Sequence, residues 1–354
     1  MLPALLPAVL LLGGCATTGA LPAPRYPAAD VAATIETRPV GTPNADAADD
    51  PAIWRNPTDP AKSLILGTDK KAGLYVYGLD GAVHDFIAAG ALNNVDLRTV
   101  RRADGSNLIL AAASDRTDKA NPRVALFALD GLRAKLTALG SEPFLPASRA
   151  PAEAYGFCMG SALAPDELAR VYVVLKSGEV AESRLVEKAG RIVPEYLRSV
   201  KVATQSEGCV IDDTTHTLYL AEEDVGIWQV DLSANTLAPT AFARVGPADG
   251  LVADVEGLAI VHEGAQTWLL ASSQGDNAYA VFDAKTGHLA GRFRVNGGPI
   301  DGTSDTDGIE AMTGDFGPGF PGGVFVAQDG DNAPDAQNFK LVPWRSITTA
   351  LKLD

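Results

Sequence analysis

The chain has 354 residues and a formal net charge of −15 at pH 7, which argues against nucleic acid or an anionic membrane surface as a direct partner. Hydrophobic residues make up 46% of the chain, with 35 Gly and 23 Pro, a composition that fits a globular core with many tight turns. The apolar runs are short, are rich in Val, Leu, Ile and Tyr, and show no long helical stripe. We therefore predict an all-β fold.

The N-terminal segment has the features of a bacterial lipoprotein signal peptide. Residues 1–15 form an apolar stretch that is too short to span a bilayer and ends in the lipobox string LGGC. Cys15 is the predicted lipidation site, with an ordinary secretory signal as the alternative. We expect an exported protein, periplasmic or an outer-membrane lipoprotein of a Gram-negative bacterium, that meets the membrane only through this anchor. Residues 16–45, rich in Ala, Pro and Thr, are predicted to form a flexible tether.

Residues 46–354 contain a pattern that recurs six times. Each repeat carries an apolar run, and successive runs start 44, 63, 47, 50 and 56 residues apart. The six starts are Leu64, Leu108, Val171, Leu218, Trp268 and Val324. Periods of roughly 40 to 50 residues with several short strands are typical of propeller blades. The sequence therefore predicts one domain, a six-bladed β-propeller with a central channel, and we expect a monomer.

Each apolar run follows a short strand, and four of these strands carry a carboxylate directly before Pro or Gly. These residues are Asp50, Glu207, Glu256 and Asp307. If the strands are the innermost of their blades, the four carboxylates converge at one mouth of the channel. The alternative is that each acid only caps its own turn, but the shared register of all four favours a common site.

The cysteines and histidines do not form a metal-binding pattern. Cys158 and Cys209 have apolar neighbours and belong to no CxxC or Cys/His spacing, so we predict two buried thiols, with a disulfide between neighbouring blades as the alternative. The histidines are scattered without ligand spacing: His84, His216, His262 and His288. Zinc is therefore not the expected metal.

Oxygen ligands dominate the remaining candidates, and hard cations such as Ca²⁺ bind many oxygens. The richest acidic segment is DGTSDTDGIE at residues 301–310, which is not an EF-hand loop because Gly314 stands where the bidentate Glu should be. Basic residues align with the same rim as the acids: Lys70, Lys71, Arg116 and Lys176. Acids on one side of a mouth and cations on the other suit a phosphate that is bound through metal and through ammonium or guanidinium groups.

Several of these strings resemble the β-propeller phytases. The resemblance runs in order from Asp49 to Trp344 and rests on DDPAIW, TDKKAGLYVYGLDG, QSEGCVIDD, LYLAEEDVGIW, DVEGLAI, DGTSDTDGIE and QNFKLVPW. It implies a six-bladed propeller that acts as a 3-phytase-type phosphatase. Such an enzyme hydrolyses phosphomonoesters of myo-inositol hexakisphosphate (phytate) with several Ca²⁺ ions, so the expected partner is a small phosphorylated inositol.

The resemblance also implies the roles of individual residues. The catalytic, calcium-binding acids would be Asp49, Glu207, Glu223, Asp254, Glu256, Asp301 and Asp307, and the repeat register adds Asp50 as a metal ligand. Gln328 and Asp329 would bind a structural calcium. The substrate would contact Lys70, Lys71, Arg116, Tyr155 and Lys176.

The expected mechanism is metal-assisted hydrolysis, in which calcium neutralises phosphate charge and lowers the pKa of the water that attacks phosphorus. Two alternatives remain, because propellers host many functions. One is an exported module that captures a ligand without chemical turnover. The other is a lactonase-type propeller with one central calcium, whose channel site has about four ligands and no basic rim.

Overall fold

Six β-sheets surround a central channel, which confirms the predicted six-bladed propeller. The computed structural model describes residues 26–143 and 152–353, and these residues are mostly strand. The described chain opens with two short strands, β1 (Ala29–Val31) and β2 (Ile35–Glu36). It ends in the helix α1 (Trp344–Leu351), and short 3₁₀ turns lie at Pro60–Lys62 and Gln274–Asp276.

The first three blades are four-stranded antiparallel sheets in which strands follow one another in chain order. Blade 1 contains β3 (Ala48–Trp54), β4 (Leu64–Asp69), β5 (Gly73–Gly78) and β6 (Val83–Ala88). Blade 2 contains β7 (Leu92–Arg101), β8 (Asn107–Asp115), β9 (Arg123–Asp130) and β10 (Lys135–Pro143). Blade 3 contains β11 (Ala154–Ser161), β12 (Ala169–Leu175), β13 (Glu179–Lys188) and β14 (Arg191–Lys201).

The last three blades repeat this plan, and the N-terminal strands join two of them. Blade 4 contains β15 (Ser206–Asp212), β16 (Thr217–Glu222), β17 (Gly226–Asp231) and β18 (Thr240–Arg244). Blade 5 contains β19 (Val255–Glu263), β20 (Gln266–Ser273), β21 (Ala278–Asp283) and β22 (Leu289–Val295), with β1 added in parallel to β22. Blade 6 contains β23 (Ile309–Thr313), β24 (Gly323–Asp329) and β25 (Asn338–Pro343), and β2 is its outermost strand.

The N-terminal strands correct the predicted tether. Residues 16–45 were expected to be flexible, but β2 pairs with β25 through Ile35 and Leu341, so the start of the chain completes the last blade. A two-residue strand has no detectable periodicity, which is why composition alone pointed to a linker. The signal segment, Cys15 and the first part of the tether lie outside the described residues.

Adjacent blades are held together by apolar faces. The described residues form six hydrophobic clusters, one between each pair of neighbouring blades. The second and third strands are buried on both faces, as in LILGTD of β4 and GLYVYG of β5, whereas the outer strand β6 is largely exposed. Each first strand contacts the first strand of the next blade, and β23 returns to β3, so the ring is closed.

A disulfide between Cys158 and Cys209 corrects the prediction of two buried thiols. The cysteines lie on β11 and β15, the inner strands of blades 3 and 4, with Cα atoms 5.8 Å apart. Both side chains belong to the cluster between these blades. The sequence repeat had placed the two cysteines in neighbouring blades, but their apolar neighbours could not distinguish a disulfide from two buried thiols.

The structure also bears on membrane contact. In the part of the chain that the structure describes, no helix has the length and apolar character needed to cross a bilayer.

Candidate active site

A β-bulge in each of five inner strands places a residue at one mouth of the channel. In β3, β7, β11, β15 and β19, one extra residue interrupts the pairing with the second strand near the start of the strand. The interrupted segments carry Asp49, Asn93, Tyr155, Glu207 and Glu256. A bulge bends its strand and redirects a side chain, so five blades present polar groups to one opening.

Three glutamates form the centre of the site. Each of Glu207, Glu223 and Glu256 offers a carboxylate oxygen, and these oxygens lie within 4.8 Å of one another. All three side chains are buried, although glutamate is almost never buried without a partner. Among the described residues, Glu223 Oε1 and Glu256 Oε2 are buried without a hydrogen-bond donor. This arrangement is costly for an isolated protein, because buried like charges repel.

The pKa values reflect this repulsion. Burial, with the charges of Asp49 and Asp307, raises the pKa of Glu207 well above its usual range. Burial and the charge of Glu207 do the same to the pKa of Glu256. Burial and the charge of Asp49 raise the pKa of Asp307 to about 7. The pKa values of Glu223 and Asp254 are also raised, chiefly by burial, so the acids resist full ionisation unless a cation joins them.

Lys70 lies among the acids instead of on an open rim. Its Nζ is 2.7 Å from Asp46, 2.9 Å from Asp49 and 2.7 Å from Asp307, and the side chain is buried. Burial disfavours the ammonium ion, but Asp49 and Asp307 outweigh it, so the pKa of Lys70 is raised. Lys70 is therefore a fixed positive charge on the acidic side of the mouth.

Two of the four predicted basic residues lie beside Tyr155. The Arg116 guanidinium lies 5.3 Å from the centre of the Tyr155 ring, and Lys176 Nζ lies 4.6 Å from it. Glu153 also contacts Arg116, at 2.5 Å. Burial and the charge of Glu207 raise the pKa of Tyr155, which joins the basic residues to the acid centre. Arg116 and Lys176 therefore lie at the same mouth as the acid centre.

A cavity of 880 Å³ opens over these groups. Lys70, Tyr155, Glu223, Asp254 and Glu256 contribute to its wall. Residues 330–337 and residues 44–46 form further parts of the wall, together with Gln205, Gln274, Asp305 and Asp307. The volume falls within the range of small-molecule sites, and the lining is polar, as a multiply charged ligand requires.

Not every predicted residue reaches this cavity. Asp50 accepts a hydrogen bond from Val95 N–H at 2.9 Å and lines the narrow channel below the mouth. Lys71 is exposed. Asp301 instead contacts Lys340, whose Nζ lies 2.5 Å away. The structure thus separates Asp50 and Asp301 from the acid centre.

The predicted structural-calcium residues lie near the same lysine. Lys340 is fully buried, and its Nζ is 2.6 Å from Glu36 and 3.3 Å from Asp329. Gln328 Oε1 accepts the N–H of Asp307 at 2.8 Å. Lys340 therefore supplies a positive charge beside Asp329, and Gln328 supports the segment that carries Asp307.

Three amide side chains were missed by the sequence reasoning. Asn93 donates to Glu207 at 2.6 Å, Gln205 donates to Glu223 at 2.8 Å, and Gln274 donates to Asp307 at 2.8 Å. Each amide fixes one oxygen of a mouth acid. Asn93 also accepts a hydrogen bond from Arg116 and so links the two halves of the site. Its place in NNVDLR, where other repeats have an acid, was the available signal, whereas the two glutamines offered none.

The donor set fits a hard divalent cation. Carboxylate oxygens are the preferred ligands of Ca²⁺, and three carboxylates converge here with two buried oxygens that lack donors. Among the described residues, this cluster contains carboxylates alone, and the nearby cysteines are bonded to each other. The residues that could hold metal at the mouth are Asp49, Glu207, Glu223, Asp254, Glu256 and Asp307.

Comparison with known proteins gives consistent matches. The sequence profile of the family described as Phytase matches residues 1–354. A 3-phytase of Bacillus subtilis (strain 168) is 38% identical over 331 residues, which cover 91% of this chain and 85% of that protein. One chain of a crystal structure of the mitotic checkpoint complex aligns over 97% of this chain and 87% of its own length. Its TM-score is 0.49 at 13% identity, a similarity too low to indicate a shared function.

Proposed function

The chain belongs to the phytase family, and we propose that it hydrolyses phosphomonoesters of phytate with calcium ions held by the mouth acids. The observation that carries the calcium dependence is the convergence of Glu207, Glu223 and Glu256 within 4.8 Å, with buried oxygens that lack donors. A protein that only captured an anion would gain nothing from three buried acids, because they repel the ligand.

The chain's own residues divide the work between two sides of the mouth. The acids hold the metal, and the amides of Asn93 and Gln205 orient Glu207 and Glu223. Arg116 and Lys176 present positive charge beside Tyr155, where phosphate oxygens can accept charge-assisted hydrogen bonds. When bound, calcium neutralises phosphate charge and lowers the pKa of a water that attacks phosphorus.

The decisive experiment measures phosphate release from phytate with calcium and with excess EDTA. Glu256→Gln removes a carboxylate from the centre and should lower calcium-dependent release by more than about 100-fold, since even outer partners of metal ligands typically contribute about 10- to 100-fold. Glu263→Gln is the matched control, because Glu263 is exposed at the far end of the same strand. Calcium-independent release, or phytate binding without release, would overturn the proposal.

Export is proposed on the sequence alone. We infer that Cys15 is lipidated after removal of the preceding residues and that the protein is anchored in a bacterial outer membrane or held in the periplasm. Mass spectrometry of the mature N-terminus tests this, with Cys15→Ser as the control. An unmodified N-terminus before residue 15 would refute it.

A further inference from the structure

At four junctions between neighbouring inner strands, a glycine packs directly against the backbone of the next strand. A Cβ atom on Gly156 would lie 1.9 Å from the carbonyl oxygen of Glu207, and one on Gly208 would lie 2.1 Å from that of Glu256. The contact continues around the ring. A Cβ on Gly257 would lie 2.6 Å from the Asp307 carbonyl oxygen, and one on Gly308 would lie 2.5 Å from the Asp49 carbonyl oxygen. Any other residue would push these strands apart.

The repeated partner is always the residue at the mouth of the next blade. Gly257 N–H donates to the Asp307 carbonyl at 2.7 Å, and Gly308 N–H donates to the Asp49 carbonyl at 3.0 Å. Each glycine follows its own mouth residue directly in the sequence. The strand that carries one mouth residue therefore touches the backbone of the next, and the spacing between neighbouring side chains depends on this contact.

The other two junctions use a side chain instead of a glycine. Asp50 Oδ2 accepts the Val95 N–H at 2.9 Å between blades 1 and 2. Asn94 lies between blades 2 and 3. In the amide orientation that satisfies both of its polar atoms, the Asn94 nitrogen donates to the Tyr155 carbonyl oxygen at 3.0 Å. The ring is thus asymmetric. The four glycine junctions lead to Glu207, Glu256, Asp307 and Asp49. The two junctions on either side of blade 2, which carries Arg116, are instead spanned by side chains.

We propose that Gly208 and Gly257, together with Gly156 and Gly308, are positioning residues that set the spacing of the mouth acids and so select a cation of the size of calcium. This proposal rests on the proposed calcium dependence. The metal–oxygen distances of the two ions differ only slightly, because Ca²⁺ binds oxygens at about 2.3–2.6 Å and Mg²⁺ at about 2.0–2.1 Å. Clearing the contact at Gly208 requires a larger shift than that difference, since the Cβ would stand 2.1 Å from the oxygen.

The test is isothermal titration of the metal-free protein with CaCl₂, SrCl₂ and MgCl₂, with no substrate present. Gly208→Ala should weaken calcium binding at least about tenfold and weaken binding of the larger strontium ion less, so that the ratio of the two affinities shifts. Gly257→Ala, with its milder contact of 2.6 Å, should fold and shift the ratio in the same direction by less. The melting temperature in EDTA reports folding separately.

Two glycines serve as matched controls. A Cβ on Gly319 meets nothing within 4 Å, and one on Gly160, at the other end of β11, meets its nearest atom at 3.3 Å. Both alanine variants should keep the wild-type affinities and ratio. If folded Gly208→Ala or Gly257→Ala retains the wild-type ratio, the glycines have only a structural role and the proposal is wrong. If the wild-type protein binds no calcium, the proposed function itself fails.

Discussion

At the scale of single residues, the mouth joins two groups of opposite charge. Tyr155 lies between them, with Arg116 and Lys176 near its ring and the charge of Glu207 beside it. Lys70 is already engaged by Asp49 and Asp307. Lys176 is consequently better placed than Lys70 to contact a second phosphate of the substrate.

Lys176→Ala should lower kcat/KM for phytate far more than for p-nitrophenyl phosphate. A substrate with adjacent phosphates can use a second cation, and a charge-assisted contact of this kind contributes about 1.5–3 kcal/mol, or roughly 10- to 100-fold. Lys201→Ala, on the exposed outer strand of the same blade, is the control. Equal losses on both substrates would show that Lys176 binds any phosphate or supports the fold.

Glu310, which lines the narrow channel below the mouth, offers a test of pH dependence. Burial, followed by the charge of Asp96, raises the pKa of Glu310 from 4.5 to about 8. The positive charge of Arg98 opposes this rise only in part, and Asp50 is a further acid nearby. Protonation therefore favours folding. The stabilisation of the folded state by protonated Glu310 is fully present below pH 4.5 and is lost as pH rises through about 8.

Glu310→Gln should remove this part of the pH dependence. Between about pH 5 and about pH 9, the melting temperature of the variant in EDTA should fall less than that of the wild-type protein, by at least about 2 °C. The exposed-site variant Glu263→Gln should follow the wild-type curve. Parallel curves for Glu310→Gln and wild type would show that Glu310 does not titrate in this range.

At the scale of elements, apolar runs were the most reliable sequence signal. Each of the six predicted starts lies within two residues of the first residue of the second strand of a blade. Examples are Leu64 for β4 and Trp268 for β20. Runs such as these are buried on both faces, so they are continuous in the sequence. The sequence did not predict the strand β2, because its two residues form a strand only through pairing with β25.

The site was less fully predictable, for a related reason. A carboxylate directly before Gly could be recognised in three of the six repeats, and this placed Glu207, Glu256 and Asp307 at the mouth. The bulges that aim the side chains depend on pairing with the second strand, which the sequence does not display. Asp50 and Asp301 have suitable chemistry, but they meet Val95 and Lys340 instead.

The disulfide between β11 and β15 should stabilise the propeller without taking part in the reaction. Replacing Cys158 and Cys209 by Ala should lower the free energy of unfolding by about 2–4 kcal/mol, measured by urea denaturation, because the bond closes a long loop. Calcium affinity and phytate turnover should stay near the wild-type values. Reduced wild-type protein is the matched comparison, and loss of calcium binding in a folded double variant would show that the bond positions Glu207.

At the scale of the whole molecule, closure of the ring and formation of the site depend on each other. The mouth acids come from four different blades, the first, fourth, fifth and sixth, so they meet only when the propeller is closed. Closure in turn uses β2, whose Glu36 contacts the buried Lys340 at 2.6 Å. An unfolded chain therefore has no preformed metal site, and a cation held by the mouth acids would bind the native state in preference.

Removing calcium should accordingly destabilise the entire propeller. Buried carboxylates at the mouth repel one another, and a ligand at 100 times its Kd adds about 2.7 kcal/mol to the native state. The melting temperature should fall by roughly 4 °C or more when excess EDTA replaces calcium, and restoring calcium should reverse the change. Glu256→Gln removes one repelling charge and weakens the site, so its melting temperature should respond less to the chelator. An identical response in both proteins would place the stabilising calcium away from Glu256, and an unchanged wild-type curve would contradict metal binding at the mouth.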